Sequence, residues 1–145
     1  MAHSLHTEIE ISAPIDRVRA ILTDFDRYPE WNPFIASISG DQRVGARLDV
    51  RIGGGASKSR FKPKVLAWEP PTRFIWEGSL PIPGLFVGRH EFILTELGTN
   101  QTHMLHQEFF RGLISGMLLK SIGEATRLGF TQMNEALKQR AENGN

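Results

Sequence analysis

Between residues 35 and 112 no segment repeats its apolar positions at helical spacing, and this limits the fold more than any other feature. The stretches "IASIS" (35–39), "ARLDVRIG" (46–53), "RFKPKVLAW" (60–68), "RFIWEG" (73–78), "RHEFILTEL" (89–97) and "THMLHQEFFRG" (102–112) read instead as strands. They alternate apolar and polar residues or are rich in branched and aromatic side chains. A parallel pair of strands needs a crossover of a dozen or more residues, usually a helix. The short links here leave no room for one, so six successive strands predict an antiparallel sheet and not a doubly wound one. The links carry turn signals: Gly40-Asp41, "EPPT", and "GTNQ", across which the last two strands form a hairpin. Pro63 inside the third of these strands predicts an edge or a bulge there.

Helical periodicity is confined to the two ends. "HTEIEIS" (6–12) is a half-buried strand, with Ile9 and Ile11 opposite Glu8 and Glu10. In "APIDRVRAILTDF" (13–25) the period switches: Ile15, Val18, Ile21, Leu22 and Phe25 share a face. Pro14 and Asp16 suit a helix start. "DRYPEWNPF" (26–34) holds two prolines and supports a turn or one short helix. Residues 115–142 form one long helix with a stripe of Leu118, Ile122, Ala125, Gly129, Met133 and Ala136. Glycine inside a helix costs about 1 kcal/mol relative to alanine. Gly123 and Gly129 therefore need a reason, either close packing of helix on sheet or space for a ligand. The order is β-α-(short α)-β6-α, about seven strands in all, in an α+β chain.

The bulk numbers exclude several functions. A chain of 145 residues is one domain (1–145, with 5–140 as the ordered core). Its net charge is +1 and it has no run of Lys or Arg, so the electrostatic footprint of a nucleic-acid binder is missing and no nucleic-acid partner is expected. Without cysteine there is no disulfide, thiol nucleophile or thiolate metal site. No apolar run reaches the roughly 20 residues of a spanning helix, so no stable membrane insertion is expected. The first residues show no basic-then-apolar leader, which predicts a cytoplasmic protein. "GGGAS" (53–57) reads as a flexible connection; it lacks the lysine and the following helix of a phosphate loop. No serine sits in a nucleophile elbow. "RAENGN" reads as a frayed tail.

The stretch "IEISAPIDRVRAILTDFDRYPEWNPFI" (9–35) resembles the opening of the SRPBCC superfamily, the START-like group with the helix-grip fold. "GRHEFIL" (88–94), "THMLHQEFFRGLI" (102–114) and "GFTQMNEALKQRAE" (129–142) resemble its polyketide cyclase/dehydrase-like branch. The "YPEWNPFI" block is the most specific piece. The resemblance implies a curved antiparallel sheet gripping a long C-terminal helix. An elongated internal cavity between them would bind lipids, hormones, polyketides or other apolar molecules. Carriers, cyclases and hydroxylase domains share the superfamily, and no single residue set is catalytic across it.

With that fold, the inward face holds Leu48, Val50, Ile52, Phe61, Val65, Phe74, Trp76, His90, Phe92, Leu94, Met104, His106, Glu108 and Phe110. Such a lining, apolar with a few placed polar groups, suits a small-molecule pocket. A hairpin closing symmetrically about Thr99 sets His90 opposite Glu108 and Phe92 opposite His106. A register shifted by two sets Phe92 opposite Glu108 and Leu94 opposite His106. A buried carboxylate must be paired, protonated or hydrated. His90, His106 and Glu108 thus form a structural polar pair, orient a ligand, or act as general acid and base; two histidines and a carboxylate could also hold a metal, but nothing in the spacing demands one.

The expected ligand-binding residues are Val50, Ile52, Phe61, Phe74, Trp76, His90, Phe92, Met104, His106, Glu108, Phe110, Leu118 and Ile122. The apolar loop "LPIPGLFVG" (80–88) and the segment "FFRGLISGMLL" (109–119) are expected to meet at the cavity mouth, with Leu80, Ile82, Leu85 and Phe86 there. Trp31 is expected to pack the turn onto the sheet end, and Trp68 to point away from Val65, under a loop. His3, His6 and His103 read as surface residues. The function expected is binding of a small hydrophobic ligand, without cofactor or metal, by a monomer or homodimer. The alternatives are a cyclase/dehydrase-type enzyme with His90, His106 and Glu108 as its catalytic candidates, and a protein-interaction or chaperone-type module.

Overall fold

A computed structural model of the chain describes residues 3–53 and 59–143. The order is β1 (His3–Ile11), α1 (Ile15–Thr23), a 3-10 turn (Phe25–Arg27), α2 (Tyr28–Trp31), β2 (Ile35–Ser39), β3 (Asp49–Ile52), β4 (Ser59–Phe61), β5 (Lys64–Glu69), β6 (Arg73–Ser79), β7 (Val87–Gly98), β8 (Gln101–Arg111) and α3 (Ser115–Glu142). Every paired strand is antiparallel. One sheet has the order β1-β8-β7-β6-β5 and the other β2-β3-β4.

The strand count is eight among the described residues, one more than the periodicity predicts. The difference lies at Pro63, which has no N–H to give to a ladder. The segment 60–68 breaks there into β4 and β5, and the halves join different sheets. The sheets stay stitched beside that corner: Leu48 N donates to Pro63 O at 2.8 Å, and Val65 N to Ala46 O at 2.8 Å. A second correction follows from a bulge between Val65 and Ala67. An extra residue reverses the faces beyond it. Val65 pairs with Trp76, but Trp68, not Ala67, then pairs on that inner face, with Phe74. Trp68 packs its ring edge-on against Phe25 and Phe74 in the main core. The loop 53–57 falls largely outside the described residues, as does the last part of the tail.

The long sheet carries its inward side chains in rows. One runs Val65, Trp76, His90, Glu108, Leu5; the next runs Trp68, Phe74, Phe92, His106, Thr7; a third holds Leu94, Met104 and Ile9. The C-terminal half of α3 lies over this sheet and buries Phe130, Met133, Asn134, Leu137 and Ala141. That face differs from the expected stripe: Ala125 is exposed and Ala136 only half-buried. Helix α1 buries Ile15, Val18 and Leu22. Arg17 on its flank donates to the Ala141 and Arg140 carbonyls at 2.6 and 3.1 Å. These are end groups of α3 with no partner within the helix, so Arg17 caps it.

The "YPEWNPF" block supplies the hinge between helices and sheet. Tyr28 is fully buried and its hydroxyl donates to Leu22 O at 2.5 Å. Burial pushes that phenol far up from its usual value. Trp31 lies against the Tyr28 ring and packs on the core. Asn32 Oδ1 accepts from Phe34 N and Ile35 N at 2.9 and 2.8 Å, an Asx-type turn that starts β2. It also aims Phe34 at α3, where only a glycine fits: a Cβ on Gly129 would overlap the Phe34 ring.

Candidate functional site

The N-terminal half of α3 stands off the sheet, and an apolar cavity of about 290 Å³ lies beneath it. Its volume falls at the low end of the roughly 300–1,000 Å³ of small-molecule sites. The walls come from three directions. Val50, Ile52 and Phe61 line it from the small sheet, Trp76, His90, Glu108 and Phe110 from the long sheet, and Leu118, Leu119, Ile122, Gly123 and Thr126 from α3. Phe34 closes the inner end, beside Phe130 at 5.4 Å between ring centres.

Of the expected ligand residues, Val50, Ile52, Phe61, Trp76, His90, Glu108, Phe110, Leu118 and Ile122 meet at this cavity. Phe74, Phe92 and Met104 do not; they lie in the packed core, almost without exposure. His106 is fully buried one row behind the wall. Alternation assigns a residue to the inward face, but which rows the helix covers depends on the angle at which it crosses. Phe34, Ile35, Ser59, Pro63, Gly78, Ser79, Gly123 and Thr126 also line the cavity and were not among the expected ligand residues, while Gly88 and Leu119 line it from the two segments expected at the mouth. Of these, Gly123 carried a signal, its position inside a helix.

The two mouth segments do come together. Leu113 N donates to Gly84 O and Ile114 N to Leu85 O, both at 3.0 Å. Gly112 permits this approach: its φ is +115°, and a Cβ there would lie 2.6 Å from Leu85 O. Leu80 and Phe86 reach the cavity wall, and the Phe86 and Phe110 rings are 5.7 Å apart. Ile82 does not line it and is 62% exposed; Leu85 is half-buried outside it.

The polar groups are ordered by the strand pairing. His90 sits opposite Glu108 and Phe92 opposite His106, the symmetric register of the hairpin. Trp76 stacks on His90 with planes 12° apart, and Phe130 stacks on His106 with planes 14° apart and centres 4.1 Å apart. His90 Nε2 and His106 Nε2 are 2.7 Å apart. His106 Nδ1 is 2.7 Å from Asn134 Oδ1, and Asn134 Nδ2 donates to Thr7 Oγ1 at 2.9 Å. Thr7 Oγ1 in turn donates to the His106 carbonyl at 2.8 Å. At the cavity end, His90 Nδ1 and Glu108 Oε1 are 3.7 Å apart, too long for a direct hydrogen bond. Burial, with the neighbouring His90 second, holds His106 well below the usual histidine range, although its bond to Asn134 acts the other way.

Both nitrogens of His106 and Nε2 of His90 are committed to one another and to Asn134, so His90, His106 and Glu108 do not converge on a common point as metal ligands do. Among the described residues no group of three or more His, Asp or Glu side chains is arranged to hold a metal. None of the helices among them is long and apolar enough to cross a membrane.

The sequence profile described as "Polyketide cyclase / dehydrase and lipid transport" matches residues 2–142. The chain belongs to this family. Solved structures agree on the START-like, helix-grip fold. A START superfamily protein from Mycobacterium smegmatis is 19% identical, with 99% of each chain covered and a TM-score of 0.74. A protein from Mesorhizobium loti is 22% identical, again with 99% of each chain covered, at a TM-score of 0.76. An aromatase/cyclase from a Streptomyces species is 11% identical, covering 97% of this chain and 96% of its own, at 0.72. At such identities the likeness is one of fold. No curated protein matches the chain.

Proposed function

We propose that this member of the cyclase and lipid-transport family binds a small hydrophobic molecule in the cavity under α3, with His90 and Glu108 contacting its polar group. One observation carries the reading. Among the described residues the wall is apolar and aromatic except for three hydroxyl side chains and this one titratable pair, in which the hydrogen bond is left open at 3.7 Å. A ligand's polar atom would complete it; the same cavity without a ligand leaves apolar surface in contact with water. Native mass spectrometry of the purified protein, then mass spectrometry of an organic extract, tests this together with calorimetric titration against naphthalene-sized probes. Binding that disappears in Leu119→Trp, a variant that fills the cavity, supports the reading. A protein without a bound molecule that also ignores every probe overturns it.

A second reading is acid–base chemistry on an enolisable substrate, as the family's name suggests. It rests on the same open pair: an imidazole nitrogen beside a carboxylate in a largely apolar pocket is suited to taking and returning a proton. Glu108→Gln separates the two. Loss of turnover by about 100-fold or more at nearly constant affinity marks a catalytic group. A modest change in affinity alone marks a group that orients a ligand.

A further inference from the structure

Thr7 and Asn134 lie outside the cavity wall, yet hydrogen bonds link them to it through two imidazoles. The direction of that chain follows from its far end. Thr7 Oγ1 lies 2.8 Å from the main-chain oxygen of His106, and a carbonyl only accepts, so the hydroxyl proton points there. The Thr7 oxygen is then the acceptor for Asn134 Nδ2. This orients the amide with Oδ1 toward His106 Nδ1. Oδ1 also only accepts, so Nδ1 of His106 carries the proton. The ring is wholly buried and disfavoured as a cation, which leaves Nε2 as its lone pair. His90 Nε2, 2.7 Å away, must donate to it. Neutral His90 therefore holds its remaining lone pair on Nδ1, the atom beside Glu108.

We propose that Thr7 and Asn134 are positioning residues that keep His90 Nδ1 a hydrogen-bond acceptor, so that the cavity selects apolar ligands bearing a hydroxyl or enol over those whose only polar group is a carbonyl or ether. The inference rests on the ligand-binding reading for its second half and on the hydrogen-bond chain alone for its first. Two acceptors, an imidazole nitrogen and a carboxylate, face the ligand across 3.7 Å. A hydroxyl placed there gives its single proton to one of them or shares it between the two. A ligand carbonyl oxygen meets lone pairs instead and leaves buried acceptors unsatisfied, the situation that gives polar sites their sharpest discrimination.

The test has two arms on the full chain. The first is nitrogen-15 NMR of the histidine rings without ligand. The expected result is His106 in the Nδ1–H form and neutral His90 in the Nε2–H form. Thr7→Val frees the Asn134 amide to turn over and mixes the two forms at both rings, whereas Thr7→Ser restores the single state. Asn134→Leu removes the acceptor and reverses the chain, giving His90 as Nδ1–H. A wild-type His90 in the Nδ1–H form, or tautomers unmoved by these variants, overturns the proposal even if ligands bind. The second arm compares 2-naphthol with 2-methoxynaphthalene, which keeps the ring system and the oxygen but has a methyl group in place of the donor proton, its size effect being read from the Asn134→Leu variant. A preference for 2-naphthol of about tenfold or more is expected in the wild type, falling to near parity in Asn134→Leu. Equal binding of the two probes by the wild type overturns the selectivity. Failure of both probes to bind counts against the cavity reading and the selectivity with it, and leaves the tautomer result to stand by itself.

Discussion

At the scale of single residues, the site depends on small groups that leave room for larger ones. Gly88 pairs with Phe110 on β8, and a Cβ there would lie 2.7 Å from Glu108 Oε2. The carboxylate is the far end of a flexible side chain, so it can move aside. Gly88→Ala is therefore expected to keep the melting temperature within about 4 °C, the equivalent of ~1 kcal/mol or less. Affinity for 2-naphthol should drop about tenfold, the loss of one charge-assisted hydrogen bond; calorimetry and thermal melting check both halves. His106 offers a second residue-scale prediction. Its folded value lies below the ordinary 6.5, because burial disfavours the charged ring. The unfolded chain then binds the extra proton first. Stability is complete above about pH 6.5 and is lost as pH falls from there toward the depressed folded value, at up to about 1.4 kcal/mol per pH unit. Urea unfolding at several pH values between 7 and 5 should show that slope, and His106→Gln should remove it.

At the scale of elements, α3 is two helices in function. Its C-terminal half is clamped on the sheet by Phe130, Met133 and Leu137, and its end is held by Arg17. Its N-terminal half spans the cavity. The two glycines that stood out in the sequence divide along that line. Gly129 admits the Phe34 ring, so the close-packing explanation is the right one there. Gly123 lines the cavity, and a Cβ on it would meet only Leu119 of the same helix, at 3.3 Å. Opposite outcomes follow for the same substitution. Gly123→Ala should raise stability by up to about 1 kcal/mol through helix propensity. Gly129→Ala should lower it by about 1–3 kcal/mol, because a ring in a packed core must shift. Thermal or urea denaturation of the pair decides it. An identical gain in both would mean that Phe34 is free to move.

For the whole molecule, the cavity couples ligand to stability and to local opening. A ligand at 100 times its dissociation constant should add about 2.7 kcal/mol. Hydrogen exchange should show residues 115–126 opening more readily than 130–141, and a ligand should slow exchange selectively in the first segment. Uniform protection along α3 would contradict a cavity under its first half. Much of this arrangement was legible in one dimension. The absence of helical period between 35 and 112 dictated an antiparallel sheet, because short links cannot cross over. The period of two placed His90, His106 and Glu108 on one face but left two registers open; the structure takes the one that sets His90 opposite Glu108, reached through an irregularity between Glu96 and Gly98. Trp68 was misplaced because a bulge inserts its extra residue without leaving a mark in the apolar pattern. The strand break at Pro63 showed as a disturbance, but not as a change of sheet. Thr7 and Asn134 are far apart in the chain and unremarkable in it, and Phe34 stands in the specific "YPEWNPFI" block with nothing to show that it meets Gly129. Alternation and short links are local properties, so the sequence by itself determined most of the strands, their antiparallel direction and, away from the irregularities at Pro63 and at 65–67, their inward faces. Which row the helix covers, which row it leaves open, and which amide reaches a buried imidazole are set by the crossing of α3 over the sheet, and only the tertiary structure decided them.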